Sequence, residues 1–192
     1  MKAKKAQKPK SLSVEVPVQK FLVSVQKNGE IDGTFLLDLF PGNSPKFCEL
    51  FAQNCSHAGN EKGKGKQPVY KNCPFRRISA VGLQVAEGQV GKNTVVDSDQ
   101  EIDRFHALGT LSFCKGAQGF DSAAFFICLT SDANELAHLD KNYIVFGKIA
   151  ENMDYLLSLK KELVAYTTTD GVISAECPFS VAEISHLGES QP

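Results

Sequence analysis

Apolar and polar residues alternate in short runs along most of this chain, and few runs are long enough for a helix. Phe21, Val23 and Val25 alternate with Leu22, Ser24 and Gln26, and Phe35, Leu37 and Leu39 repeat the pattern. A period of two puts each set on one face of a strand. The Asn28-Gly29 and Asp32-Gly33 pairs supply a turn, which makes the two strands a hairpin after a linker ending near Pro17. The densest β-type stretch runs from Thr110 to Ile149. Within it, Ala124 to Thr130 (AFFICLT) is short and rich in β-branched and aromatic residues, predicting a mostly buried strand. Tyr143 to Ile149 predicts another, with Ile144, Phe146 and Lys148 on one face, Tyr143, Val145 and Ile149 on the other, and Gly147 at a bend.

Two segments switch to helical spacing. In the first, Ser44 is placed to cap, Pro45 suits the first helical position, and Phe47, Cys48, Phe51 and Cys55 recur on one side. The second starts at Asn152, with Asp154 at the positive end of the dipole, Tyr155, Leu156, Leu159 and Leu163 on one face, and Lys160 and Lys161 toward the C-terminal end. Each helix carries one apolar side that can cover the strands. Thr167 to Thr169, Val172 to Ala175 and Phe179 to Ile184 offer closing strands, interrupted by Cys177-Pro178. Ser56 to Pro68 (SHAGNEKGKGKQP) has no apolar anchor and no Gly-Lys-Ser/Thr ending, so it reads as a surface loop and not a phosphate-binding one.

Composition narrows the picture. A chain of 192 residues with 42% hydrophobic residues can bury one substantial core. The expected division is a basic tail over 1–18, a single domain over 19–187, and a short tail over 188–192. No apolar run approaches the roughly 20 residues of a membrane helix, and MKAKKAQKPK lacks the apolar segment of a secretory signal. A soluble, cytoplasmic protein without membrane attachment is therefore expected, with the Lys-rich N-terminus leaving a nuclear or organellar address open. Five of the 21 basic residues fall in the first ten positions with no acid among them, leaving 16 basic against 22 acidic residues in the remainder, a net of −6. That acidic body gives no electrostatic footprint for nucleic acid. The six cysteines are widely spaced without a Cys-x-x-Cys pair and read as buried free thiols, and His57, His106, His138 and His186 show no metal spacing.

Three stretches carry a resemblance. Val69-Tyr70-Lys71-Asn72, Phe75-Arg76-Arg77-Ile78 and Gly82-Leu83-Gln84-Val85-Ala86-Glu87-Gly88 together are similar to the cyclophilin run that supplies the catalytic arginine of those peptidyl-prolyl isomerases. FFIC followed by HLDKNYIVFGKI resembles the wall of their proline pocket, and DLFPGNSPKFCELF resembles their early strand, turn and first helix. The matches keep the family's order from about Lys20 to about Ile149. The resemblance implies a mainly β fold: a closed, antiparallel, eight-stranded β-barrel capped by two α-helices.

The chemistry it implies needs no cofactor and no metal. Amide resonance puts roughly 18–20 kcal/mol in the way of rotation about an X-Pro bond. That barrier falls when the ring is held in an apolar pocket while a donor hydrogen-bonds the proline nitrogen in the twisted state. By residues alone, Arg76 and Arg77 are strand-end surface arginines on opposite faces, and Phe126 is core. The resemblance instead makes Arg77 the catalytic arginine, with Phe75 beside it, Phe126 the pocket's aromatic floor, Leu139 a pocket leucine, and Leu83 a smaller stand-in for a phenylalanine. The polar grip departs from the family. Ala86 and Ala124 stand where two glutamines hold substrate, Lys115 replaces an asparagine, Tyr143 a histidine, and His138 the tryptophan that binds cyclosporin. Gln89 to Asp103 is a shortened loop, and Ser131 to Ala137 reads as an insertion beside the pocket.

Neutral side-chain hydrogen bonds are worth about 0.5–1.5 kcal/mol each, and more where a partner is left unpaired, so the two glutamines and the asparagine together remove about two to four decades of rate if they act only in the twisted state. The expectation is a cyclophilin-like protein that binds proline-containing protein segments as a binding or structural module, alone or within a larger assembly, with isomerase activity weak or lost. The alternative is an active isomerase of altered substrate preference whose pocket has found other donors.

Overall fold

The computed structural model describes residues 17–56, 68–86, 93–94, 105–116 and 119–190. In chain order the elements are β1 (Val18–Lys27), β2 (Glu30–Leu39), α1 (Pro45–Cys55), β3 (Cys73–Ile78), β4 (Gly82–Val85), β5 (Asn93–Thr94), β6 (Thr110–Gly116), β7 (Gly119–Cys128), α2 (Ala133–Asn142), β8 (Val145–Glu151), α3 (Met153–Val164) and β9 (Phe179–Ser190). Eight strands run β4-β3-β9-β1-β2-β8-β6-β7, and pairing of β4 with β7 closes the ring. The fold is thus mainly β, a closed antiparallel eight-stranded barrel, with β5 a two-residue addition on β7. Closure leaves the ring without an edge strand.

Asn28 and Gly29 turn the first hairpin, both with positive φ (53° and 88°), as a two-residue turn matched to strand twist requires. Asp32-Gly33 takes no part in it. Val25 pairs with Gly33 and Gln26 with Ile31, so Asp32 is the extra residue of a bulge, and its carboxylate accepts a hydrogen bond from the Tyr155 hydroxyl at 2.8 Å. A Cβ at Gly33 would collide with the Tyr155 ring, so glycine is what lets α3 lie against β2.

Phe21, Val23, Val25, Phe35, Leu37 and Leu39 all point inward, as their alternation predicts. Phe51 of α1 plugs the barrel, with its ring 5.2 to 5.5 Å from those of Phe21, Tyr70, Phe125 and Phe146. Such spacings suit edge-on and tilted aromatic packing. Ser44 sits at the start of α1 without capping it. Its hydroxyl donates to the Val145 carbonyl at 2.8 Å and ties α1 to β8 instead. In α3, Leu156, Leu159 and Leu163 are buried and Asp154 lies in the first turn, while Asn152 precedes the helix in a left-handed conformation (φ 64°).

Several expectations need correcting. Among the described residues the barrel carries three helices, because the segment from Ser131 onward, taken as an insertion, contains α2. Tyr143 therefore follows a helix, and β8 begins only at Val145. Thr167 and Val172–Ile173 make isolated bridges, whereas the closing strand is the single long β9. Val18 pairs with Ser190 and Lys20 with Gly188, so the barrel extends a little into both segments read as tails. The N-terminal lysines and most of the Ser56–Pro68 and Gln89–Asp103 loops lie outside the described residues.

Candidate functional site

One extra residue in β3 determines what faces the outside of the barrel here. Phe75 pairs with Val85 and Arg77 with Gln84, so two steps on β3 oppose one on β4 and Arg76 is bulged. Directly paired residues share a face. Phe75 and Val85 both point into the core, and the bulge then turns Arg77 outward beside Gln84. Without it, simple alternation would leave Arg77 on the same inner face as Phe75. Across the next seam, Gln84 pairs with Phe126 of β7. Arg77, Gln84 and Phe126 therefore form a row across three strands.

Helix α2 faces this row. The Asp132 carboxylate accepts from the Asn134 and Glu135 backbone N–H groups at 3.0 and 3.1 Å, capping the helix. Glu135, His138 and Leu139, spaced three and four apart, share a helix face and line the same cavity as the row, with Tyr143 following the helix end. The cavity measures about 490 Å³, within the range of small-ligand and peptide clefts. The Phe126 and Tyr143 rings lie nearly parallel with centroids 6.4 Å apart.

Two anchors hold these walls. The His106 ring is buried, and its Nδ1 lies 2.7 Å from the Asp140 Oδ1, which also accepts the His106 backbone N–H at 2.6 Å. An ionised carboxylate only accepts, so Nδ1 carries the proton and Nε2 is left buried without a partner among the described residues. Burial is the leading influence on His106 and lowers its pKa, while Asp140 partly opposes the shift. On the other side, the Lys160 ammonium of α3 donates to the Ala80 carbonyl at 3.2 Å and steadies the turn between β3 and β4. Burial lowers the Lys160 pKa as well.

Arg77, Phe126, His138, Leu139 and Tyr143 are thus brought together around one cavity. Phe75, Leu83 and Ala86 are not, since each is no more than 2% exposed and packs in the core. Strand alternation is the reason for Leu83: it faces inward from β4, and its neighbour Gln84 faces the cavity instead. Ala86 ends β4 in a left-handed conformation (φ 62°) with its N–H on the Pro74 carbonyl at 3.2 Å. Ala124 of β7 is only 1% exposed and does not line the cavity. The Lys115 side chain lies outside the described residues. Gln84 and Glu135 also line the cavity, and neither is among the residues singled out from the sequence. Gln84 could have been found by strand alternation from the buried Leu83 and Val85.

Arg77 is exposed, and its Nη2 donates to the Asp170 carbonyl at 2.9 Å. A guanidinium has five N–H donors, so this contact can fix its direction while others serve a ligand. The cavity combines an apolar floor, a guanidinium, a carboxamide and a carboxylate. Those groups suit a ring of proline size and the amides on either side of it.

Residues 22–185 match the family model described as cyclophilin type peptidyl-prolyl cis-trans isomerase/CLD. Peptidyl-prolyl cis-trans isomerase 11 of Caenorhabditis elegans is 29% identical over 141 residues, which cover 68% of this chain and 73% of that protein.

Proposed function

Because the chain belongs to the cyclophilin-type peptidyl-prolyl cis-trans isomerase family, we propose that it binds proline-containing protein segments in the Arg77–Phe126 cavity, with isomerase activity weak or lost. It serves as a binding or structural module, alone or within a larger assembly. The observation that supports this is the uneven state of the site. The guanidinium and the apolar floor of Phe126 and Leu139 line the cavity, whereas Ala86 and Ala124, at the positions of the two substrate-holding glutamines, are buried alanines that offer no side-chain donor. A proline ring can be seated, but the peptide on either side of it is held by fewer groups. Catalysis depends on contacts that strengthen in the twisted state, so the loss falls on rate more than on binding.

A second reading is favoured by Gln84. Its side chain lines the cavity between Arg77 and Phe126, and its carboxamide can hydrogen-bond a peptide backbone. In that case the chain is an active isomerase of altered preference. Exchange NMR on an Ala-Pro peptide, with wild type and Arg77→Ala side by side, separates the two. The expected result is peptide binding with cis-trans exchange close to the buffer rate. Rapid exchange that collapses in Arg77→Ala would establish the second reading, and no binding of any proline peptide would refute both.

A further inference from the structure

We infer that Glu135 makes this cavity selective for proline segments carrying a basic residue, lysine or arginine, beside the proline on the α2 side. This rests on the proposed binding of proline segments. Glu135 lies in the first turn of α2, one turn before His138 and Leu139, and lines the cavity with them. It is exposed and makes no salt bridge among the described residues. The helix that carries it is fixed at both ends, by the Asp132 cap at the start and by the Asp140 contact to buried His106 near the end.

The same cavity also carries the contrary charge. Arg77 lines it from β3, directed by the Asp170 carbonyl, and Phe126 of β7 and Leu139 of α2 supply its apolar floor. A proline ring on that floor leaves its neighbour on the α2 side next to a carboxylate. A lysine or arginine in that place meets an opposite charge, and its methylene stem can cover apolar surface beside Leu139. A glutamate or aspartate meets a like charge in a partly closed cleft. Attraction in one case and repulsion in the other, each of the size of an exposed ion pair, separate lysine from glutamate by about fivefold at low salt.

Two peptide series, Ala-Xaa-Pro-Ala and Ala-Pro-Xaa-Ala with lysine, norleucine or glutamate at Xaa, test this by NMR titration. One series is expected to bind about fivefold more tightly with lysine than with glutamate at low salt, and to lose the difference in 0.5 M salt. Glu135→Gln should equalise the three peptides without altering the melting temperature, and Glu135→Lys should invert the order. Equal affinities in both wild-type series, or a lysine preference that survives in Glu135→Gln, would overturn the inference. Failure of even the norleucine peptides to bind would overturn proline-segment binding itself, and this inference with it.

Discussion

Replacing Asp140 should reveal how much of the cavity depends on one buried contact. Its Oδ1 accepts two hydrogen bonds from His106, from the backbone N–H at 2.6 Å and from Nδ1 at 2.7 Å. Asp140→Ala leaves both donors without that acceptor in a place where His106 is 4% exposed. Hydrogen bonds to an ionised acceptor are worth about 1.5–3 kcal/mol each. The Asp140 side chain is 24% exposed, so water replaces part of the loss, leaving about 2–4 kcal/mol for the pair. That is a large share of the roughly 5–15 kcal/mol that holds a domain together, and in a chain of this size it lowers the melting temperature by about 5–15 °C. Asp140→Asn keeps an acceptor in the same place and loses only the charge, so about 1 kcal/mol is expected. Denaturant melts of the three proteins measure the order, and peptide titration well below each midpoint measures the cavity. Asp140 adjoins Leu139 on α2, so weaker peptide binding should accompany the lower stability. An Asp140→Ala protein within about 0.5 kcal/mol of wild type would refute the role assigned to this contact.

Three further outcomes are expected. The folded-state pKa of His106 lies below its ordinary 6.5, burial being the leading cause, so between those two values the unfolded chain binds more protons than the folded one. Stability from this residue is then fully present above about pH 6.5 and is lost as pH falls through the folded-state value; melts at pH 7.5 and 5.5 should show a decline that His106→Gln reduces. At Gly82, a Cβ would strike the Ile127 carbonyl and the Phe126 ring, and the carbonyl cannot retreat without opening the β4–β7 seam. Gly82→Ala should cost about 3 kcal/mol and weaken peptide binding, and a variant with wild-type melting would contradict that packing. Gln84→Leu keeps the volume and removes the carboxamide, so peptide affinity should fall about twofold to tenfold with little change in melting; unchanged affinity would remove Gln84 from the site.

The first strands were legible in the sequence because they alternate cleanly, while their closure into a barrel came from the family resemblance. Phe21 to Val25 and Phe35 to Leu39 place their apolar residues inward, and the Asn28-Gly29 turn between them has the required positive φ. Helices α1 and α3 were legible from apolar spacing, since each buries three residues on one side. Helix α2 buries only Leu139, so the same signal is nearly absent. What announces it is polar: Asp132 followed three residues later by Glu135, the pattern of a capped helix start. The Asp32-Gly33 pair misleads for the opposite reason. Its composition is that of a turn, but the adjacent Asn28-Gly29 pair already reverses the chain, and Asp32-Gly33 is absorbed as a bulge under Tyr155.

The cavity was harder to read because its membership depends on a register shift that no residue type signals. Strict alternation along β3 would put Phe75 and Arg77 on one face, and family position assigns both to the site. The bulge at Arg76 separates them, sending Phe75 to the core and Arg77 to the cavity. On β4 the strand keeps its regular period, so Leu83 and Val85 belong to the barrel interior and Gln84 alone among the three faces outward. The same two facts decide the chemistry. Of the apolar family positions, Phe75 and Leu83 support the barrel while Phe126 and Leu139 line the cavity, where Arg77, Gln84 and the α2 residues add the polar groups. On the proposed reading, selectivity comes from the row across β3, β4 and β7 and from the cavity-lining face of α2. That is why Gln84 and Glu135 are the side chains whose substitution should change what is bound without changing what is folded.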